Sequence, residues 1–326
     1  MDTNLYLIVP YCNPMDWSSR LTVYRRFENH ILQQSCVKLV TIELTYGDRP
    51  YMLPAREGVI RIQRRTNCVM WHKENIIAIA ERHLPPHDFA GYVDGDFLFN
   101  DPHIMRRAID ILHRYPIAQV STRLVSLGPP PAEEAVWIIP SLMSVYAGDY
   151  DKSRTNTVVG ERHPVELSRD GYPGGCWVWR HYAYSEMGGM LERCIDGSAD
   201  QHMAAGLLDL TLDETLIDER FSPAYRQYIK DWRRQAYSAV RGYVGMVPGT
   251  AQHLWHGRIQ DRGYADRGKI LMRNEYNPHL DVRANGDGVL EFTNRKPLLR
   301  SDVLSHFKGR NEDSVDEITP HWAKGS

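Results

Sequence analysis

Cysteine is scarce in this sequence and never paired. The five among 326 residues (Cys12, Cys36, Cys68, Cys176 and Cys194) are scattered, odd in number and free of any CxxC spacing. That argues against a disulfide framework or a structural zinc knot, fits a reducing compartment, and leaves each thiol reading as a small buried hydrophobe. Charge of one sign is also lacking. Lys and Arg number 39 against 41 Asp and Glu, a net of −2, so no global field draws the chain to nucleic acid or anionic lipid. No apolar run is long enough to span a bilayer, and the opening MDTNLYLIVPYCNP has no basic segment followed by an apolar core, so no signal peptide is expected. The expectation is a soluble, cytoplasmic protein. GxGxxG and HExxH are missing. The one GxxxxGK spacing, Gly263 to Lys269, is followed by Ile270 where a phosphate-binding loop needs a magnesium-binding hydroxyl. There is no internal repeat and no low-complexity tract.

What is present is a chain of ordinary globular composition, 42% hydrophobic and 25% charged, long enough for a sizeable core. LYLIVPY (5–11) reads as a buried strand, and Trp17 to Gln34 as a helix with Leu21, Tyr24, Phe27 and Ile31 on one face. Strands are expected at 37–47 and 58–63, a helix at 67–84, a strand at 90–99, a helix at 104–115 and a strand at 117–125. Alternation of this kind predicts an α/β layer with a mostly parallel sheet and flanking helices. Ligands of such sheets bind outside the carboxyl ends of the strands. Pro129-Pro130-Pro131 marks a break, and the polar stretch 150–176, ending in GYPGGCW, reads as a loop over a site or an inert surface loop.

At one such carboxyl end stands GYVDGDFLFND (91–101), with Asp94 and Asp96 flanking Gly95. Alternate residues of an extended segment share a side, so two carboxylates at i and i+2 can address one hard cation. The glycine allows a sharp turn and close approach of a ligand. A plain Asp-Gly turn has the same spelling. An EF-hand is excluded, because counting from Asp94 places Phe99 where the loop needs glycine and Met105 where it needs glutamate.

Several segments together, IVPYCN, VTIELTYGDRPY, VMWHKENII and GYVDGDFLFNDP, resemble glycosyltransferases of the GT-A fold, in particular family-2-like, galactosyltransferase-type enzymes with a DxD motif. The resemblance resumes at GGMLERCIDGSADQHMAAG (188–206), HLWHGRIQDRGYADR (253–267) and DVRANGDGVLEF…HFKGRNED, and covers most of residues 4–312. It implies a GT-A domain whose residues 1–126 bind the nucleotide-sugar and whose residues 127–312 carry the acceptor site and catalysis, with 313–326 a flexible tail. Carried over by position, Pro10, Tyr11, Asn13 and Glu43 would line the nucleobase and ribose pocket. Arg65, Asn67 and Lys73 would lie near the phosphates. Asp94 and Asp96, with Gly95 between them, would hold the ribose and a Mn²⁺ or Mg²⁺, whose shell His256, or else His253, would complete. The donor implied is a UDP-hexose. An enzyme of bacterial or phage type is implied, in the cytoplasm or that of a host.

In inverting enzymes of this kind a carboxylate removes the acceptor's hydroxyl proton. Asp200 is the residue in position. The chain departs from the usual pattern there, with Gly197-Ser198-Ala199 before it, so Asp196 competes, and either could cap the helix QHMAAGLL. Gly171 to Trp177 resembles the glycine-rich loop before the acceptor site. Trp177 or Trp179 could stack on a sugar or base, though two tryptophans at i and i+2 also suit a half-buried strand. The stretch 220–241 holds six cations against Asp231 alone, interleaved with aromatics. It reads either as an amphipathic helix or as a surface for a phosphate-bearing acceptor such as hydroxymethylated DNA, the alternative to a glycan acceptor. No obligate protein partner is evident. Two other classes, a nucleotidyltransferase with paired aspartates and a non-catalytic nucleotide- or sugar-binding module, stay open.

Overall fold

The computed structural model describes residues 4–148, 171–208, 217–264 and 266–315. Residues 150–170 of the loop expected at 150–176, and residues 316–326 of the tail expected at 313–326, lie outside the described residues.

The chain runs β1 (Leu5–Cys12), α1 (Ser18–Ile31), β2 (Val37–Tyr46), β3 (Val59–Thr66), α2 (Lys73–Arg82), β4 (Phe89–Val93), β5 (Phe97–Phe99), α3 (Ile104–Leu112), β6 (Ile117–Val120), β7 (Arg123–Leu127), β8 (Ala135–Pro140) and α4 (Leu142–Tyr146). It continues with β9 (Cys176–Arg180), α5 (His181–Glu186), α6 (Ala199–Leu207), α7 (Pro223–Val240), β10 (Val244–Val247), β11 (Thr250–His253), α8 (Arg267–Arg273), β12 (Val282–Ala284), β13 (Leu290–Phe292) and α9 (Pro297–Gly309). Seven strands form the central sheet in the order β10-β6-β9-β4-β1-β2-β3. All its pairings are parallel except those of β9, which is antiparallel to both β4 and β6. This is the α/β, mostly parallel sheet with flanking helices that the alternation predicts.

Both faces of the sheet's inner strands are covered, so β4, β6 and β9 are buried almost throughout, while the edge strand β3 carries Arg61, Gln63, Arg64 and Arg65. Leu5, Leu7, Val9 and Tyr11 of β1 join a core with Tyr24, Phe27 and Ile31 of α1 and the apolar face of α3. Ile8 points the other way, into a larger core with α2, α6 and α7. The side-chain period of two therefore decides which part of a strand end can face a ligand on either side.

Two expected strands are each broken in the structure. The run 90–99 is β4 and β5 with Asp94–Asp96 as the turn between them, and 117–125 is β6 and β7 divided at Ser121, whose φ is +76°. β5 and β7 leave the central sheet and join β11 and β8 in a second sheet, ordered β5-β11-β7-β8. β10 hands over to β11 in the same way. Three strands of the large sheet thus cross into the small one at one place. The expected helix 67–84 begins only at Lys73, because Trp71 N–H donates to Ile195 O (3.2 Å) and holds the preceding segment extended. No described helix is long and apolar enough to cross a membrane.

Candidate functional site

Beside that crossing point lies a cavity of about 850 Å³, walled by the ends of β1, β4 and β11, the loop 172–175, the start of α6 and the segment from 256 to 312. The strand ladder assembles its centre. β11 pairs antiparallel with β5 so that His253 stands opposite Phe97, and Leu254 N–H donates to Asp96 O (2.8 Å). This brings two histidines to one carboxylate: Asp96 Oδ2 is 3.1 Å from His256 Nε2 and 3.7 Å from His253 Nε2, and the two Nε2 atoms are 3.3 Å apart. Asp96 is buried, and its Oδ1 has no hydrogen-bond partner. Burial opposes the Asp96 charge, but the two imidazoles and Arg20 outweigh it and hold the carboxyl well below its usual range. Burial pushes His253 down to about 3. Two imidazole nitrogens facing a carboxylate are a ligand set for a divalent cation. The three ligating atoms lie within 4.8 Å of one another.

Asp94 does something else. Its Oδ1 is 2.8 Å from Lys73 Nζ, and the ammonium also sits 5.0 Å from the centre of the Tyr92 ring. A cation in the first turn of a helix opposes the macrodipole, and the Asp94 charge offsets that. Burial works against the Lys73 charge, yet Asp94 and its other anionic neighbours raise the ammonium well above its normal range.

On the opposite wall, Asp200 stands in the first turn of α6 and shares the cavity with Asp196. Asp196 is committed to its own turn: Oδ1 accepts from Ser198 N (3.2 Å) and Ser198 Oγ (2.7 Å). Among the described residues, Asp200 Oδ1 accepts from the adjacent Gln201 N alone (2.9 Å). Its Oδ2 lies where a side chain at residue 174 would be, 2.7 Å from an ideal Cβ, so Gly174 leaves room for it. Gly175 is at φ +84° with the Phe97 ring 2.6 Å from any added Cβ, so both the backbone angle and the close packing call for glycine there.

The remaining expected residues divide sharply. Pro10 and Gly95 line the cavity, with Cys12 and Pro14. Tyr11 and Glu43 point to the other face of the sheet. The Tyr11 ring packs on Tyr24 at 5.1 Å, and Glu43 Oε1 accepts the N–H groups of Met52 and Leu53. Asn13 is exchanged into a turn with Trp17, giving and accepting one hydrogen bond at 2.8 Å each. Arg65 binds the carbonyls of Gly47 and Arg49, and Asn67 N–H donates to Glu291 Oε1 (3.1 Å), both away from the cavity wall. Trp177 is in the core, its Nε1 donating to Pro173 O (2.8 Å), and Trp179 is fully buried against Tyr184. The aromatic wall is supplied instead by Trp71, Tyr172, Phe221 and Tyr264. In α7, Tyr225 and Trp232 face inward and Lys230 and Arg234 outward, the amphipathic alternative.

Sequence reading missed the last part of the site. Glu312, buried, accepts from Arg310 Nε (2.9 Å) and Nη2 (2.7 Å), is paired with Arg20, and faces His256 Nδ1 at 3.5 Å. Arg20 and His256 outweigh burial and hold its carboxyl well below the usual range. Asp313 then accepts from Ser18 N (2.9 Å) and Ser19 N (2.8 Å), capping α1, which has no side-chain cap of its own. Arg262, Arg267 and Lys269 add positive charge along the same wall. The only signal was the motif HFKGRNED, in which no single residue stood out.

No protein family matches the sequence, and no curated protein matches it either. Solved structures similar to this one include a mannosyltransferase from Pyrobaculum calidifontis in complex with GDP-Man and Mn²⁺, with 10% identity and TM-score 0.40 over 94% of this chain and 70% of that one. A Drosophila β1,4-galactosyltransferase 7 in complex with manganese, UDP-Gal and xylobiose is 13% identical, with TM-score 0.39 over 91% and 99% of the two chains. A 4-diphosphocytidyl-2C-methyl-D-erythritol synthase from Anaerococcus prevotii is 9% identical, with TM-score 0.33 over 76% and 88%. Similarity at this level carries no inference about activity.

Proposed function

We propose that the chain is a metal-dependent glycosyltransferase that moves a hexose from a UDP-sugar to an acceptor hydroxyl with inversion. The observation that carries this reading is the convergence on one cavity of a His-His-Asp ligand set, an ammonium, several guanidinium groups and the Asp200 carboxylate at the carboxyl ends of a mostly parallel sheet. In this reading Asp96, His253 and His256 hold the cation. The set fits because Asp96 Oδ1 is buried without a partner and both Nε2 atoms face Oδ2. Imidazole donors favour Mn²⁺ over Mg²⁺. When bound, such a cation neutralises the charge on a departing diphosphate. Asp94 and Lys73 act as a pair, the carboxylate toward the ribose and the ammonium toward the phosphates, with Pro10 on the wall beside them.

Asp200 takes the acceptor's proton as the hydroxyl oxygen forms its bond to the anomeric carbon and the bond from that carbon to the diphosphate oxygen breaks. Lys73 and the arginines stabilise the leaving anion. A glycan hydroxyl is the favoured acceptor, because α7 turns Tyr225 and Trp232, two of its four aromatic rings, into the core.

The test is a matrix of thermal shifts with UDP, GDP, CDP and dTDP, each with Mn²⁺, Mg²⁺ or chelator, on wild type and Asp96→Asn. Ligand at about a hundred times its dissociation constant adds about 2.7 kcal/mol. A shift with UDP that needs Mn²⁺ and disappears in Asp96→Asn is expected, followed by hexose transfer that Asp200→Asn abolishes. No shift with any nucleotide refutes the reading, and release of pyrophosphate in place of UDP would mark a nucleotidyltransferase. Duplex DNA binding at low salt would move the acceptor to DNA.

A further inference from the structure

A second cluster of ligating side chains lies at the other end of the central sheet, across the length of β4. Glu81 belongs to the last turn of α2, His87 precedes β4, and His181 is the first residue of α5, directly after β9. Phe89 pairs with Arg180 in the sheet, and His181 N–H donates to Asp88 O (2.9 Å), so the ladder itself draws the three residues together. Glu81 is buried. Its Oε1 is 3.0 Å from His87 Nε2 and 3.4 Å from His181 Nδ1, and Trp179 Nε1–H donates to it at 3.4 Å. Its Oε2 is buried with no hydrogen-bond partner.

The tautomer of His87 is fixed by its other nitrogen. Nδ1 is 2.8 Å from Pro85 O, and a carbonyl only accepts, so Nδ1 carries a proton. A neutral His87 therefore turns the lone pair of Nε2 onto a carboxylate oxygen. A neutral ring and a carboxylate at that distance can share a bound cation, whereas a protonated ring would share its own proton with the carboxylate. The spacings of 3.0 and 3.4 Å match the edge of about 3.3 Å that a tetrahedron of zinc-length bonds would have. All three ligating atoms fall within 4.8 Å of one another. The Pro85 carbonyl and the Trp179 indole then orient one imidazole and the carboxylate, as the outer partners of metal ligands do.

We propose that Glu81, His87 and His181 form a second metal site, for a divalent transition ion of the zinc class. Two imidazole nitrogens and one carboxylate oxygen disfavour Mg²⁺ and Ca²⁺, which take oxygen shells. The fourth position opens to solvent along His181, whose side chain is 52% exposed, and takes water. The ion clips α2, the segment before β4 and the β9–α5 junction together, far from the cavity.

The experiment uses a full-length Asp96→Asn/His256→Ala variant, stripped with chelator, so that the first site is disabled. Calorimetric titration with Zn²⁺ should show one ion per chain, and Zn²⁺ should raise the melting temperature. Adding His181→Ala, which removes a half-exposed ring and leaves the circular dichroism spectrum unchanged, should weaken binding by about tenfold or more and abolish the melting shift. Absence of Zn²⁺ binding in the double variant overturns the proposal, as does binding that His181→Ala leaves intact. A protonated His87 paired with Glu81 would then account for the geometry.

Discussion

Glu312 offers a test of the cavity through the charged network behind the proposed ligand His256. Its side chain is 2% exposed and is shared by Arg20, Arg310 and His256, so replacing it with glutamine keeps the volume and removes the charge. Two guanidinium groups, 27% and 3% exposed, would then face each other without a counter-ion. Breaking a buried pair in this way costs about 3–5 kcal/mol. At about 2.1 cal/mol/K per residue, the unfolding entropy of a chain of 326 residues is about 0.7 kcal/mol/K, which puts the loss at about 4–7 °C in melting temperature. The carboxylate also lies 3.5 Å from His256 Nδ1, so removing its charge should lower Mn²⁺ affinity by about 10- to 100-fold. Scanning calorimetry without metal and Mn²⁺ titration of the folded protein read the two effects separately. A carboxyl held below its unfolded range stabilises the fold above that range and loses the effect as pH falls, so the gap between Glu312→Gln and wild type should narrow in acid. A melting temperature within about 1 °C of wild type, together with unchanged Mn²⁺ affinity, would refute the whole account of the network.

Other substitutions probe the opposite wall and the core. Gly174→Ala places a methyl 2.7 Å from Asp200 Oδ2 and should cut turnover by about tenfold or more while nucleotide affinity, read by thermal shift, holds. Trp177→Phe should lower stability by about 1–3 kcal/mol in denaturant titration, through lost packing and the lost bond to Pro173, and leave donor affinity unchanged; a large loss of affinity would return Trp177 to the binding site. Glu74, buried in the first turn of α2, has a carboxyl that burial pushes up to about 7, against the pull of Lys73. A raised carboxyl contributes stability below its unfolded value and loses it as pH rises through the folded one. Glu74→Gln should therefore match wild type near pH 4.5 and exceed it at pH 8 by about 3 kcal/mol, measured as chemical stability against pH.

The elements legible in the sequence were those of the first 125 residues, where continuous apolar runs alternate with amphipathic helices. The breaks at Asp94–Asp96 and Ser121 were not, since a strand that leaves one sheet for another keeps its apolar character on both sides of the break. Asp96 and Asp200 stood out only through the motifs around them, since carboxylates in Asp-Gly turns and in the first turn of a helix also have ordinary structural roles. Tyr11 and Glu43 misled for a different cause: a residue near a strand's end faces the ligand or the far helix according to parity, and parity relative to an unseen partner is not written in one strand. Asn13 and Arg65 spend their hydrogen bonds on neighbouring backbone, a use that looks the same in sequence as binding a nucleotide. Glu312 was invisible because its partners, Arg20 and His256, are distant in the chain and meet only through the fold.

The placement of β9 between β4 and β6 has a consequence for the chain as it is made. At about 5–20 residues per second, the strand that separates β4 from β6 leaves the ribosome on the order of ten seconds after β4. Throughout that interval β4 presents an unpaired apolar edge, the kind of surface on which nascent chains associate or chaperones act. β10, β11 and the Glu312 segment come later still. A partly synthesised chain therefore holds Asp94 and Asp96 but neither histidine nor the carboxylate behind them, and it can acquire its cation only once nearly the whole polypeptide has folded back onto its first strand.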